Sequence, residues 1–223
     1  MRGWKMVLAA VAAAVIVMPA AAQGRRGFGG FGGPGMLLGR AEVQKEIKLT
    51  EEQLKKYQEF NKGNESKVQE MREAFQNMDR EKAQEIQKEI AAATDKFIKD
   101  TLNADQSKRL KQISRQVMGP NAFTDEETAK ELKLTDEQKD GIKKVVEDLG
   151  AESKAAFTGA DDQEARQAAF KKIQGLRTEA TEKITKMLTA DQKKVWKDLT
   201  GDKFDLPPGG PGFGKGKKGK AEE

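Results

Sequence analysis

Lys45-Glu-Ile-Lys-Leu-Thr-Glu-Glu-Gln53 returns as Lys130-Glu-Leu-Lys-Leu-Thr-Asp-Glu-Gln138, with seven identities in nine positions at an offset of 85. A second stretch, Leu102-Asn-Ala-Asp-Gln106, returns as Leu188-Thr-Ala-Asp-Gln192 at an offset of 86. Two unrelated motifs sharing nearly one offset point to a tandem duplication. The spacing predicts halves near residues 41–119 and 124–201. They join at Met118-Gly119-Pro120, where a glycine helix stop precedes the only proline of the body.

Apolar residues between the motifs recur at helical spacing. In the first half Leu54, Tyr57, Asn61, Asn64, Val68, Met71, Phe75 and Met78 predict one long outgoing helix whose seam carries two polar positions. Ala83, Ile86, Ile90, Ala93 and Phe97 mark its return. In the second half Ile142, Val145, Leu149 and Ala156 lead out, and Ala169, Ile173, Leu176, Ala180, Ile184 and Met187 lead back. Thr158-Gly159-Ala160-Asp161 breaks that pair, with Asp161 as the expected N-cap and Glu164 three residues on. Short helices are expected at about 40–47 and 125–132, the second capped by Thr124 with Glu127. Closing helices carry Leu110, Ile113 and Val117, then Val195, Trp196 and Leu199, and stop at Gly119 and Gly201. The expected fold class is all-α: two tandem helical-hairpin repeats, 40–119 and 120–206, forming an elongated helical bundle.

Both ends differ from this body. Residues 1–22 have a basic start, an apolar run from Met6 to Met18, then Pro19 and Ala20-Ala21-Ala22. That is the pattern of a cleaved secretory signal peptide, with the cut expected after Ala22. An uncleaved anchor is the alternative, because Met6 to Ala22 is at the lower limit of a bilayer span. Export, to a periplasm or beyond, places the chain away from ATP. Residues 23–39 and 207–223 are rich in Gly and Pro and are expected to be a flexible linker and a disordered tail.

The charge lies mainly in those ends. Nine of the 41 basic residues fall in 1–40 and 207–223, leaving 32 in the body against 34 of the 36 acidic ones. The body is therefore near neutral, and no nucleic-acid partner is expected, because that needs a clustered basic face. Weak contact of the basic tail with an anionic surface is the sharper reading of those lysines. The chain has no Cys and no His, which excludes disulfides, thiolate or imidazole metal sites and Ser/His/Asp or Cys nucleophiles. No catalytic residue, metal site or cofactor is expected. Carboxylate pairs such as Glu51/Glu52 fall at helix starts, where solvated capping accounts for them.

The four copies of the Leu-(Thr/Asn)-x-(Asp/Glu)-Gln motif have a local explanation. Thr50, Asn103, Thr135 and Thr189 are N-caps, and Gln53, Gln106, Gln138 and Gln192 stand at N3, where they close a capping box. The preceding Leu49, Leu102, Leu134 and Leu188 are apolar residues at N′, and Leu49 can staple onto Leu54. Two such motifs per half, in an exported, Cys-free, charge-rich helical chain, resemble the periplasmic Spy/CpxP-type family with its paired Leu-Thr-x-x-Gln motifs. The resemblance covers residues 41–201. It implies helical hairpins paired into a thin curved body that holds non-native proteins without ATP, or restrains an envelope-stress sensor. In that family two protomers build the body; here both units lie in one chain, which implies a monomeric pseudo-dimer. Asn103 stands where the family has Thr, and the absence of His and Cys argues against its zinc-binding branch.

The function expected from this is an exported, ATP-independent chaperone that holds non-native envelope proteins. The alternative is a non-catalytic adaptor or structural spacer with a sensor protein as partner. Phe60 and Phe170 lie off the main stripes amid Lys and Glu and are the expected client-binding residues, the competing reading being a second packing layer. N-terminal sequencing of exported material should begin at Gln23; a sequence beginning at Met1 would support the anchored form.

Overall fold

A computed structural model of the protein describes residues 33–206; the signal segment 1–22, most of the 23–39 linker and the tail 207–223 lie outside it. The described residues form α1 (Pro34–Leu38), α2 (Ala41–Glu46), α3 (Glu51–Gly63), α4 (Glu65–Gln76), α5 (Arg80–Thr101) and α6 (Ala104–Met118). A 3₁₀ helix (Gly119–Thr124) leads into α7 (Glu126–Glu131), α8 (Asp136–Phe157), α9 (Gln163–Met187) and α10 (Ala190–Thr200). They include no strand, so the chain is all-α over this range. No described helix is long and apolar enough to cross a membrane.

The helix starts follow from side-chain acceptors. Thr50, Asn103, Thr135 and Thr189 each accept from the N3 backbone N–H, and the N3 glutamine accepts from the N-cap N–H in return. Two expected caps move by one residue. Asp125 caps α7, accepting from Thr128 N at 3.0 Å, while the Thr124 hydroxyl donates to Asn121 O at 2.8 Å. Asp162, not Asp161, caps α9, accepting from Ala165 N at 2.7 Å. In both cases a carboxylate occupies the cap, where its charge also meets the positive end of the helix dipole.

Two helix ends set up the motifs. Lys48 and Lys133 have φ of 54° and 51°, a left-handed conformation that costs a non-glycine residue about 1 kcal/mol or more. Lys48 N donates to Lys45 O at 3.1 Å and Leu49 N to Gln44 O at 3.0 Å; Lys133 and Leu134 repeat this with Lys130 O and Ala129 O. These are Schellman ends built without glycine. Each turns the chain from a short helix straight into a motif.

Two cores result. Leu37, Leu38, Val43, Ile47, Leu102, Leu110 and Ile113 form the first. Phe123, Leu132, Leu134, Ile142, Ile184 and Leu188 form the second, with the Phe123 and Trp196 rings 4.0 Å apart. The inclusion of Leu37 and Leu38, at 2% and 0% exposure, corrects the linker reading: residues 34–38 are a helix seated in the first core. Pro34-x-x-Leu37 and Pro120-x-x-Phe123 stand 86 positions apart, so each core takes an apolar side chain from one turn of helix ahead of its short helix.

The cores are tied together through α6 and α10. Gln112 Nε2 donates to Asp198 O at 2.9 Å and Gln116 Nε2 to Thr200 O at 2.6 Å, while Phe204 N donates back to Gln116 Oε1 at 2.8 Å. Phe204 and Leu206 pack on the first core from the far end of the described chain. The buried Arg115 reaches from α6 to Glu131 at 2.8 Å and to the Thr128 hydroxyl at 3.2 Å, both on α7. Arg177 of α9 donates to Val117 O at 2.6 Å and Met118 O at 3.1 Å, a cation on the negative end of α6. Burial pulls the Arg177 guanidinium below its ordinary pKa.

Outward from the cores run two antiparallel arms, α3–α4 against α5 and α8 against α9. The first departs from expectation. Its outgoing helix is interrupted at Asn64, φ −99° and ψ 1°, and the apolar stripe loses register beyond that point. Ala74 is the buried residue of α4, whereas Phe75 and Met78 are 49% and 86% exposed.

Gly201 ends α10 at φ 60° and ψ −157°, a region essentially reserved for glycine, and an added Cβ would lie 2.4 Å from the Gln112 side chain. Gly201→Ala should therefore lower stability by about 2 kcal/mol in a denaturant titration, by straining the backbone and displacing Gln112 from Asp198.

Candidate functional site

The four motifs meet in pairs, an arrangement that capping alone does not require. Gln53 Nε2 donates to Gln106 Oε1 at 2.8 Å, and Gln106 Nε2 donates to Gln53 Oε1 at 2.9 Å. The second amide hydrogens are used as well, Gln53 on Thr101 O at 2.8 Å and Gln106 on Lys48 O at 3.1 Å. Each Oε1 also accepts its own N-cap N–H, from Thr50 and Asn103, at 3.0 Å. Both donors and the acceptor of both amides are thus engaged. Turning either amide over would put an NH₂ group against a backbone N–H, so the network admits one orientation.

Gln138 and Gln192 repeat the arrangement. They exchange bonds of 2.8 and 2.9 Å, with Gln138 on Met187 O at 2.9 Å and Gln192 on Lys133 O at 3.4 Å. In each case the start of the outgoing helix is locked to the end of the returning one and to the start of the closing helix. The left-handed lysines present the carbonyls that receive Gln106 and Gln192. Leu102, Leu134 and Leu188 are buried beneath the locks, and Leu49 packs against the first core from a half-buried position. The twelve motif residues therefore converge on two arm bases. Sequence reasoning assigned the glutamines only to capping; the signal for pairing was their separation, 53 and 54 residues, which matches a hairpin returning to its own base.

The aromatic candidates separate. Phe60 is half-buried and stacks on Phe97 at 4.7 Å, beside a Tyr57–Phe97 contact at 5.9 Å. Phe170 is 59% exposed and meets Phe157, itself 40% exposed, edge to face at 5.0 Å. That pair lies near the turn of the second arm, as Phe75 and Met78 do in the first. Exposed charges flank both, among them Glu73 and Arg80 at one turn and Asp161 and Lys171 at the other. Phe75, Met78 and Phe157 were missed because Phe75 and Met78 fit a helical seam and Phe157 sits beside a turn.

An open groove of about 440 Å³ runs along α9 toward α10, lined by Thr178, Thr181, Glu182, Thr185, Lys186 and Lys193. The three threonine hydroxyls donate to carbonyls four residues back at 2.7–3.1 Å, which leaves their methyl groups to line it. Two exposed carboxyls are held below their ordinary pKa, Glu42 chiefly by a backbone hydrogen bond and Glu52 by Lys56; a general acid at neutral pH needs a shift in the other direction. Among the described residues there is no group of three or more acidic side chains able to hold a metal. No protein-family model, no curated protein and no solved structure matches the chain.

The double-mutant cycle of Gln53→Ala and Gln106→Ala should show a coupling energy of about 1 kcal/mol or more, since the first substitution removes the partner on which the second acts. Additive effects in thermal or denaturant unfolding would mean that capping alone accounts for the motif.

Proposed function

We propose that this protein is an exported, non-catalytic holding chaperone that binds non-native envelope proteins without ATP, built as a monomeric pseudo-dimer of two helical-hairpin repeats in one elongated bundle. The observation that carries the reading is the exposure of Phe157 and Phe170, with Phe75 and Met78 on the other arm, at turns flanked by charge. Surfaces of that kind hold unfolded chains weakly, because small apolar patches capture and surrounding charge keeps both partners solvated. The signal-like segment 1–22 supports export, and the resemblance of the motifs to the Spy/CpxP-type family supports the activity. Arg115 and the α6–α10 contacts support two units acting as one body.

Of the two aromatic residues first singled out, Phe170 belongs to this surface and Phe60 to the packing of the first arm. A second reading is a non-catalytic adaptor for a sensor protein, for which the open face of α9 lined by Thr178, Thr181 and Thr185 offers a place to seat a partner segment. The two readings separate in one assay. The purified protein should slow aggregation of an unrelated unfolded protein at near-equimolar ratio without nucleotide. Changing Phe75, Met78, Phe157 and Phe170 to Ser should weaken that protection with the thermal midpoint nearly unchanged. Phe60→Ser should instead lower the midpoint by several degrees, about what loss of a packed ring costs. Absence of protection by the intact protein at several ratios and low salt would leave the adaptor reading.

A further inference from the structure

The two arms are built alike at their bases and differ in the middle. In the second arm α8 runs unbroken from Asp136 to Phe157, with Leu149 buried and Ala169 and Ala180 buried opposite on α9. In the first, the position of Leu149 less the 85-residue offset is Asn64, where the helix is interrupted. Asn64 Nδ2 donates to Phe60 O at 2.8 Å, so a side chain competes for the ladder's own acceptor. Gly63 stands beside Asn64 as Gly150 stands beside Leu149, neither with a packing atom within 4 Å of where a Cβ would stand, so the arms differ here in the asparagine and the break rather than in the glycine.

Two contacts bracket this level: Phe60 stacked on Phe97 below, and Lys67 paired with Glu89 at 2.5 Å above. The stretch of α5 between them includes Ala91-Ala92-Ala93, which offers only methyl groups for packing. No residue from Asn61 to Glu70 is buried, whereas beyond them Ala74, Ala83 and Ile86 are. A helix break at asparagine and a run of alanine thus meet at one cross-section, flanked by apolar packing on both sides. On the base side α1 braces α5, since a Cβ on Gly35 would fall 2.6 Å from Thr94 Cγ2.

We propose that the first arm is jointed: its outer limb, residues 65–89, pivots as a unit about Gly63–Asn64 on one helix and Ile90–Thr94 on the other, while the second arm stays stiff. The pivot changes the distance between the Phe75/Met78 surface and the Phe157/Phe170 surface without disturbing either core. This inference does not depend on what the protein binds.

Because the chain has no cysteine, spin labels can be placed in pairs without background. In the full chain, Asn77→Cys paired with Lys108→Cys should give a broad distance distribution, and Asp161→Cys paired with Lys108→Cys a narrow one. Glu70→Cys paired with Glu85→Cys, within the limb, should also be narrow. Adding Gly63→Ala and Asn64→Leu should narrow the first distribution at least twofold. Equal widths for the two arms would overturn the joint, a broad distribution within the limb would mean unravelling rather than pivoting, and no narrowing in the double variant would misplace the joint. Hydrogen exchange gives an independent reading: amides of 61–67 should exchange at least tenfold faster than those of 146–152, and equal rates would also overturn it.

Discussion

The reciprocal pairing of two glutamine amides, once at the base of each arm, is the constraint on which the remaining structure depends. A glutamine at N3 can cap a helix with its oxygen alone, and its NH₂ group then needs other acceptors. Here that group meets the partner amide and a backbone carbonyl, so two helix starts and a helix end are fixed by one network. Gln106 is only 7% exposed, and a buried amide with an unmade bond costs about 1–3 kcal/mol. The network is therefore most stable when complete, and its geometry sets where the long helices leave the core.

Everything near those pairs is dense and everything far from them is thin. The cores hold the short helices, the roots of the arms and the closing helices, and α6 with α10 joins one core to the other through side-chain amides on the last carbonyls of the partner helix. Arg115 and Arg177 add cations at the same junction, one paired with Glu131 and one on the α6 terminus. The proposed activity uses the opposite ends of the arms, where Phe75, Met78, Phe157 and Phe170 are exposed. A body that is firm at its base and apolar at its tips can offer such a surface without losing its fold.

The arms themselves differ most at one level. Leu149 and Asn64 occupy matching places, and the first buries an apolar side chain where the second bonds back to its own helix. Beyond that level the faces differ as well: in the first arm Ala74 rather than Phe75 is the buried residue.

Local chemistry was legible in the sequence: helical periodicity, the four capping boxes and the glycine stops each follow from interactions within a few residues, and the offset of about 85 residues from comparing the chain with itself. So was the all-α class, because a charge-rich chain with 6% aromatics has little from which to build a sheet core. What reading along the chain missed was long-range. That Gln53 meets Gln106, that Leu37 and Leu38 leave the linker for the core, and that Phe204 packs on the first core depend on segments brought together across tens to well over a hundred residues. The exposure of Phe75 and Phe157 against the half-burial of Phe60 depends likewise on which face the partner helix covers. Capping and periodicity are properties of one helix, and burial and pairing are properties of two, so only the tertiary structure decided them.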